Sequence, residues 1–422
     1  MSTTNTEGRV SSGVVSQGTS APGLESARQA FESVDVGAGG AAFAAYVDGE
    51  LVIDLWKGLA RPDQEWTQDT VSTLFSTTKA LAATCALVLV DRGLLDVDAP
   101  VSRYWPEFAA AGKESALVRH ILTHTVGVLG VPDASSLLHV DGRGWDDYDA
   151  IAERLAASSP EWDPGTRNSY HAISIGWLIG ELVRRVDGRT IGEFFQQEVA
   201  RPLGLDLWIG TPTQVQEERA TEMLEMPTDG LPGMVLEMQG WLARQTADPD
   251  TILGRQAIAI HGTSIINEAV PFFGGPAGRT PEQAGAGGVG SARGLARMFA
   301  ALADGGELDG TRIATPATIE LFRREYVSGP AEALRGLTLP DGTPFPPVME
   351  RWGLGFMVNL KDPMSGNSFG PDDDAFGHSG MGGQVAFADP HRRVAVGFVR
   401  NEMSMSWAGP DSVVSALYQA IS

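Results

Sequence analysis

The sequence predicts a mixed α/β (α+β) fold, in which an antiparallel sheet assembled from both chain ends is flanked by helices and carries an inserted, mainly helical lobe. Three observations predict it. Near the start, the apolar runs AAFAAYV and ELVIDLWKG are joined by Asp48-Gly49, a dipeptide suited to a tight hairpin. Near the end, QVAFA and RVAVGFV flank the turn Asp389-Pro390-His391. Between these pairs, apolar residues recur at helical spacing in AIAERLAAS, ISIGWLIGELVRRVDG and IGEFFQQEV.

Taken in order, residues 1–22 are rich in Ser, Thr and Gly and read as a mobile tail. The first hairpin follows. From Ser76 the run STTKALAATCALVLVDRG is Ala/Leu-rich and reads as a helix that stops at Gly93. Residues 101–284 form the expected helical lobe, its later part thick with Pro and Gly (EMPTDGLPGM, FFGGPAGRTPE, AGAGGVG). SARGLARMFAALADGG and the closing DSVVSALYQAIS read as helices. The α/β part is thus expected to combine residues 23–100 with 285–422. No internal repeat is visible.

Composition narrows the function. At 422 residues with 43% apolar content, the chain has ample core material, which excludes a disordered or collagen-like protein. Acidic residues number 53 against 31 basic, a net charge of −22 that repels nucleic acid and anionic membrane surfaces. The lone Cys85 excludes a disulfide framework and any multi-cysteine metal site. No apolar stretch approaches the ~18 residues of a spanning helix. The opening MSTTNTEGRVSSG has neither a basic start nor an apolar run, so no secretory signal is visible and a cytoplasmic enzyme is expected.

The chemistry centres on one serine and one lysine. Of four lysines, Lys57, Lys79, Lys113 and Lys361, only Lys79 has a serine three residues before it, in Ser76-Thr77-Thr78-Lys79. Positions i and i+3 share a helix face. A helix start also offers unpaired N–H groups and the positive dipole end, where a nucleophile finds an oxyanion site. To accept the serine proton the lysine must be neutral, which from about 10.4 demands a depression of ~3 units. On spacing alone, a capping serine with a solvated lysine is the better reading, since Ser-x-x-Lys is a weak pattern.

Company in the right order decides between these. Residues 164–171 read Pro-Gly-Thr-Arg-Asn-Ser-Tyr-His, and residues 376–383 read Phe-Gly-His-Ser-Gly-Met-Gly-Gly, directly before a strand. With Val118–Thr125 (VRHILTHT), Gly287–Arg293 (GGVGSAR) and Arg351–Phe356 (RWGLGF), the chain resembles the serine β-lactamase/transpeptidase-like hydrolases. Within them it resembles the esterase branch related to class C β-lactamases, the family VIII carboxylesterases. The likeness runs from about residue 25 to the end.

The resemblance implies roles. Ser76 is the acylated nucleophile, Lys79 its base partner, and Tyr170 the phenol that shuttles a proton to the leaving group. His378, Gly380 and Met381 form the third motif, where the Met381 N–H pairs with that of Ser76 to hold the oxyanion. Trp352, ahead of a Gly-rich strand, divides between core and pocket wall. The substrate is a small-molecule ester, with no cofactor, metal, nucleic acid or membrane implied; oligomeric state stays open. Penicillin-recognising relatives carry Asn two residues after the tyrosine and Lys at the head of the third motif; here these are Ala172 and His378. Both changes favour ester over anionic lactam. Rival readings are an acyltransferase, an amidase or β-lactamase on the same site, and a catalytically silent binding relative.

Other strings read as decoys. Ser368 sits in a Gly-x-Ser-x-Gly string, but its flanks KDPMS and PDDDA are loop-like rather than strand and helix. His120 and His124 lie four apart without a glutamate between them, which suits hydrogen bonding better than zinc. Asp372–Asp374 reads as a solvated loop. Met223, Met226, Met234, Met238 and Trp241 either pack under a long connection or line an acyl pocket.

Overall fold

The structure is a computed structural model and describes residues 15–229, 231–361 and 369–422. In chain order, its first strands are β1 (Gln17–Ser20), β2 (Gly40–Val47), β3 (Glu50–Arg61), β4 (Gln64–Glu65), β5 (Ser72–Thr73) and β6 (Leu207–Trp208). The short pairs β7/β8 (Ala259–Ile260, Thr263–Ser264) and β10/β11 (Glu307–Leu308, Thr311–Arg312) flank β9 (Val289–Gly290). The last are β12 (Val327–Pro330), β13 (Met349–Trp352), β14 (Met357–Val358), β15 (Phe376–Gly380), β16 (Gln384–Asp389) and β17 (Val394–Arg400).

One antiparallel sheet runs β1-β3-β2-β17-β16-β15-β14-β13-β12, with β4 beside β3. The expected assembly from both chain ends is what is seen: β17 pairs with β2 from Val394↔Val47 to Arg400↔Ala41. At the first hairpin Asp48 has φ 50° and Gly49 φ 80°, the two positive angles of a turn whose twist matches its strands.

The central strands bury both faces. Along β2, Ala41, Phe43 and Ala45 enter one core with Phe31 and Leu417, while Ala42, Ala44 and Tyr46 enter the other with Leu295 and Phe299. β16 and β17 divide the same way, which is why they read as continuous apolar runs rather than alternating ones. Helix α1 (Glu25–Glu32) and the closing helix Ala408–Ala420 cover the first face. Ala292–Ala303 covers the second, capped by Ser291, whose Oγ accepts from Gly294 N at 3.0 Å. Helix α2 (Thr78–Asp91) is buried from Thr78 to Leu89 on all sides, as expected of a helix apolar all round. Helices α3 (Val118–Leu122), α4 (Tyr148–Ala157) and α5 (Ser174–Asp187) occupy the predicted middle region.

Two expectations are corrected. Residues 17–20 are not part of a free tail: Gln17–Ser20 pairs with Trp56–Ile53, and Arg28 donates to Ser16 Oγ, Gly18 O and Ser20 Oγ. The polar composition misled because an edge strand needs backbone pairing rather than apolar side chains. The helix also does not begin at Ser76. Phe75–Thr77 forms a 3₁₀ turn and α2 starts at Thr78.

Candidate active site

The turn that carries Ser76 is strained and tightly held. Phe75 has φ 44°, a left-handed conformation that costs a non-glycine residue about 1–2 kcal/mol. The surroundings enforce it. Leu74 N donates to Gly288 O at 2.9 Å, Thr78 Oγ1 donates to Phe75 O at 2.6 Å, and the Phe75 ring meets Phe273 edge-on at 6.3 Å. Gly288 must be glycine here, since a Cβ would lie 2.7 Å from the Thr78 side chain. The GGVGSAR motif thus serves the serine directly, with β9 paired to β5 just before the turn.

Ser76 is half-buried and opens onto a cleft of about 400 Å³. Beneath it, Lys79 is 1% exposed. Its Nζ lies 3.1 Å from Ser76 Oγ and donates to Ala172 O at 2.7 Å and Gly285 O at 2.6 Å. Burial alone drives its pKa well below the ordinary lysine value. A neutral amine has two N–H bonds and one lone pair, which matches two carbonyls and one hydroxyl.

Tyr170 closes the third side. Its ring lies 4.7 Å from Lys79 Nζ and stacks on Trp352 at 5.7 Å with an interplanar angle of 7°. Burial raises the phenol's pKa, the nearby Ser76 hydroxyl lowers it, and the Glu350 charge raises it further. The tyrosine therefore holds its proton at neutral pH.

The third motif borders the nucleophile turn. Gly380 admits no side chain, because a Cβ would stand 2.4 Å from Leu74 O. Gly380 and Met381 line the cleft with Ser76, Tyr170 and Trp352. His378 is placed otherwise. It is fully buried, its Nδ1 donates to Ser379 O at 2.6 Å, and among the described residues its Nε2 has no partner. Burial, with a contribution from Lys79, pushes its pKa down to about 3, so it stands neutral behind the cleft wall. The alternation of β15 explains this: Gly377 and Ser379 face opposite to His378.

Sequence reasoning missed Glu350, and for His124 it foresaw hydrogen bonding but not a place beside Tyr170. His124 has φ 59° and accepts the His171 N–H on Nδ1 at 2.9 Å, the hydrogen-bonding role foreseen in general but not the partner. Its ring packs 4.2 Å from Trp352 and 5.2 Å from Tyr170. Glu350 accepts from Tyr170 N, Asn168 Nδ2 and Trp352 Nε1. His124 lies within the VRHILTHT string, whereas no local pattern marks Glu350, whose partners Asn168 and Tyr170 are far away in sequence.

The decoys fall elsewhere. Ser368 lies outside the described residues. No group of His, Cys, Asp or Glu among the described residues is placed to hold a metal ion. Asp372, Asp373 and Asp374 pair with Arg392, Lys361 and Arg323 rather than standing free. Met223 and Trp241 are buried and Met234 is exposed; the cleft methionines are instead Met349, Met357 and Met381. The RWGLGF string packs against α2, where Gly355 has φ 78° and a Cβ would lie 2.6 Å from Ala83 Cβ.

Comparison with known proteins adds to this geometry. The Beta-lactamase family model matches residues 26–412. The esterase/beta-lactamase LipL of Mycobacterium tuberculosis (strain ATCC 25618 / H37Rv) is 34% identical over 373 residues, covering 86% of this chain and 77% of that protein. A family VIII carboxylesterase of solved structure superposes with a TM-score of 0.78 at 33% identity, over 96% of this chain and 99% of the other. A penicillin-binding protein homolog from Caulobacter crescentus gives 0.77 at 35% identity, with 96% and 99% covered.

Proposed function

The chain belongs to the Beta-lactamase family, and we propose that it works there as a carboxylesterase whose acyl-enzyme forms on Ser76. It is a serine hydrolase of small-molecule esters. One observation carries the mechanism: a buried amine 3.1 Å from a cleft-facing serine hydroxyl, with both its N–H bonds taken by carbonyls.

Ser76 Oγ attacks the ester carbonyl as Lys79 takes its proton. The oxygen that gains charge is held by the N–H groups of Ser76 and Met381, at the foot of the 3₁₀ turn and the end of β15. Tyr170 gives its proton to the leaving alcohol and is reprotonated by Lys79. Water then attacks the acyl-enzyme carbonyl as Lys79 takes its proton, and collapse of the intermediate returns that proton from Lys79 to Ser76 Oγ as the acid leaves.

The cleft wall favours an uncharged ester over an anionic lactam. Ala172 offers no side-chain hydrogen bond to a lactam amide. Arg351, the one guanidinium on the wall among the described residues, is committed to Asn359 O, Asp373 O and Glu325. His378 is neutral and out of reach. No helix among the described residues is long and apolar enough to cross a membrane. Cytoplasmic residence is part of the proposal.

Ser76→Ala should lower turnover of p-nitrophenyl butyrate by at least about 10³-fold. A fluorophosphonate probe should label Ser76 in the wild type, and nitrocefin should turn over far more slowly than the ester. A folded Ser76→Ala protein near wild-type rate ends the proposal.

A further inference from the structure

Three consecutive backbone N–H groups hold the loop that carries Tyr170. Ser169 N donates to His124 O at 3.2 Å, Tyr170 N to Glu350 Oε1 at 3.1 Å, and His171 N to His124 Nδ1 at 2.9 Å. The middle acceptor comes from β13, in a hairpin-like wall of the cleft. The other oxygen of Glu350 accepts from Asn168 Nδ2 at 2.9 Å and from Trp352 Nε1 at 3.2 Å. That indole is the ring stacked in parallel on Tyr170. A single carboxylate therefore fixes both the backbone of the tyrosine and the plane its ring rests on.

More of the same wall grips this loop. Glu332 N donates to Asn168 O at 2.9 Å, Ala333 N to Ser169 Oγ at 3.1 Å, and Arg167 pairs with Glu332 at 2.7 Å. Those bonds hold the loop to the wall, but among the described residues only Glu350 hydrogen-bonds to both Tyr170 and Trp352. With three donors on two oxygens, a carboxylate is the group that fits: an amide would set its NH₂ against donors.

We infer that Glu350 is a positioning residue for Tyr170, holding the phenol where it can hand a proton to the leaving alcohol. The inference rests on the reading that Tyr170 moves that proton. Glu350 touches neither the nucleophile nor the reacting carbonyl; it acts through the tyrosine. Burial raises the Glu350 carboxyl's pKa while its three donors pull it down, and in its ionised form it disfavours a phenolate beside it.

The leaving group separates this role from a merely structural one. p-Nitrophenolate departs without protonation, whereas an alkoxide does not. Wild type, Glu350→Gln, Tyr170→Phe and the double variant should be assayed on p-nitrophenyl butyrate and ethyl butyrate, which share an acyl group. Glu350→Gln should lose about 30-fold or more in kcat on ethyl butyrate and less than about 5-fold on p-nitrophenyl butyrate. KM should stay within about threefold on both. Tyr170→Phe should show the same split, and adding Glu350→Gln to it should cost less than about threefold more. Asn168→Ala, which leaves the carboxylate but removes one of its donors, should lose about 3–10-fold on ethyl butyrate alone, and keeps the test alive if Glu350→Gln does not fold. Equal losses on both esters, additive losses in the double variant, or wild-type behaviour of Glu350→Gln or of folded Asn168→Ala would overturn the inference. An unimpaired Tyr170→Phe, or an active Ser76→Ala, would instead overturn the catalytic reading beneath it.

Discussion

Replacing Lys79 with methionine keeps an unbranched apolar arm and removes its nitrogen. In the wild type that nitrogen serves three oxygens, Ser76 Oγ at 3.1 Å, Ala172 O at 2.7 Å and Gly285 O at 2.6 Å. A general base of this kind contributes about 10²–10⁴ in rate, and each tenfold is about 1.4 kcal/mol of barrier. Lys79→Met should therefore cost roughly 3–5 kcal/mol of transition-state stabilisation. Folding suffers less. Two buried carbonyls lose their donor at roughly 1–3 kcal/mol each, partly offset because a fully buried amine no longer has to leave water. Initial rates on p-nitrophenyl butyrate, with a urea melt in parallel, test both figures. The wild-type rate should also rise with pH as the amine deprotonates, at a pH well below lysine's usual range of about 10.4, and the variant should lose that limb. A folded Lys79→Met protein with kcat/KM within tenfold of wild type would refute the role given to the nitrogen.

The remaining predictions concern stability. Burial holds His171 down to about 4 and His378 down to about 3, against an ordinary value of 6.5. Below pH 6.5 the unfolded chain binds protons that these folded imidazoles refuse, so stability is lost as pH falls from 6.5 towards about 3, by about 2 kcal/mol per histidine at pH 5. Asp389, pushed up to about 6 by burial, acts in the opposite sense between about 6 and 3.8 and returns on the order of 1 kcal/mol at pH 5. A lower urea midpoint at pH 5 than at pH 7.5 is expected; an equal or higher one contradicts this accounting. Gly355→Ala combines a positive φ with a Cβ 2.6 Å from that of Ala83 and should destabilise by roughly 2–4 kcal/mol in a urea melt. A loss under about 0.5 kcal/mol would show that α2 and this strand end yield easily.

Local pattern made much of this molecule legible. The hairpin at Asp48-Gly49, helix α2 and the β16–β17 pair each announce themselves through periodicity and turn chemistry within a few residues. Ser76, Lys79 and Tyr170 stood out as candidates because the motifs around them are short and contiguous. What escaped is non-local. Ser76 sits in a 3₁₀ turn because Phe75 is held in a left-handed conformation by partners such as Gly288, more than two hundred residues later. The β12–β13 wall has little alternation, since Gly329 and Pro330 interrupt one strand and Met349–Trp352 is short. Glu350 therefore went unremarked, although Tyr170, Asn168 and Trp352 all bond to it. His378 looked like a substrate contact because strand alternation only assigns a face once the neighbours of β15 are known.

The place of β17 has a consequence for how the enzyme comes into being. This last strand is the seam between β2, made from the first fifty residues, and β16, made from the last forty. A growing chain therefore holds its serine and lysine long before it owns the edge that completes their crevice. Hydrolysis should switch on only after β17 has been made and has paired with β2, so a nascent polypeptide carries a dormant nucleophile rather than a working one. Cutting the chain before Val394 should leave the two halves of the sheet unjoined and the protein silent.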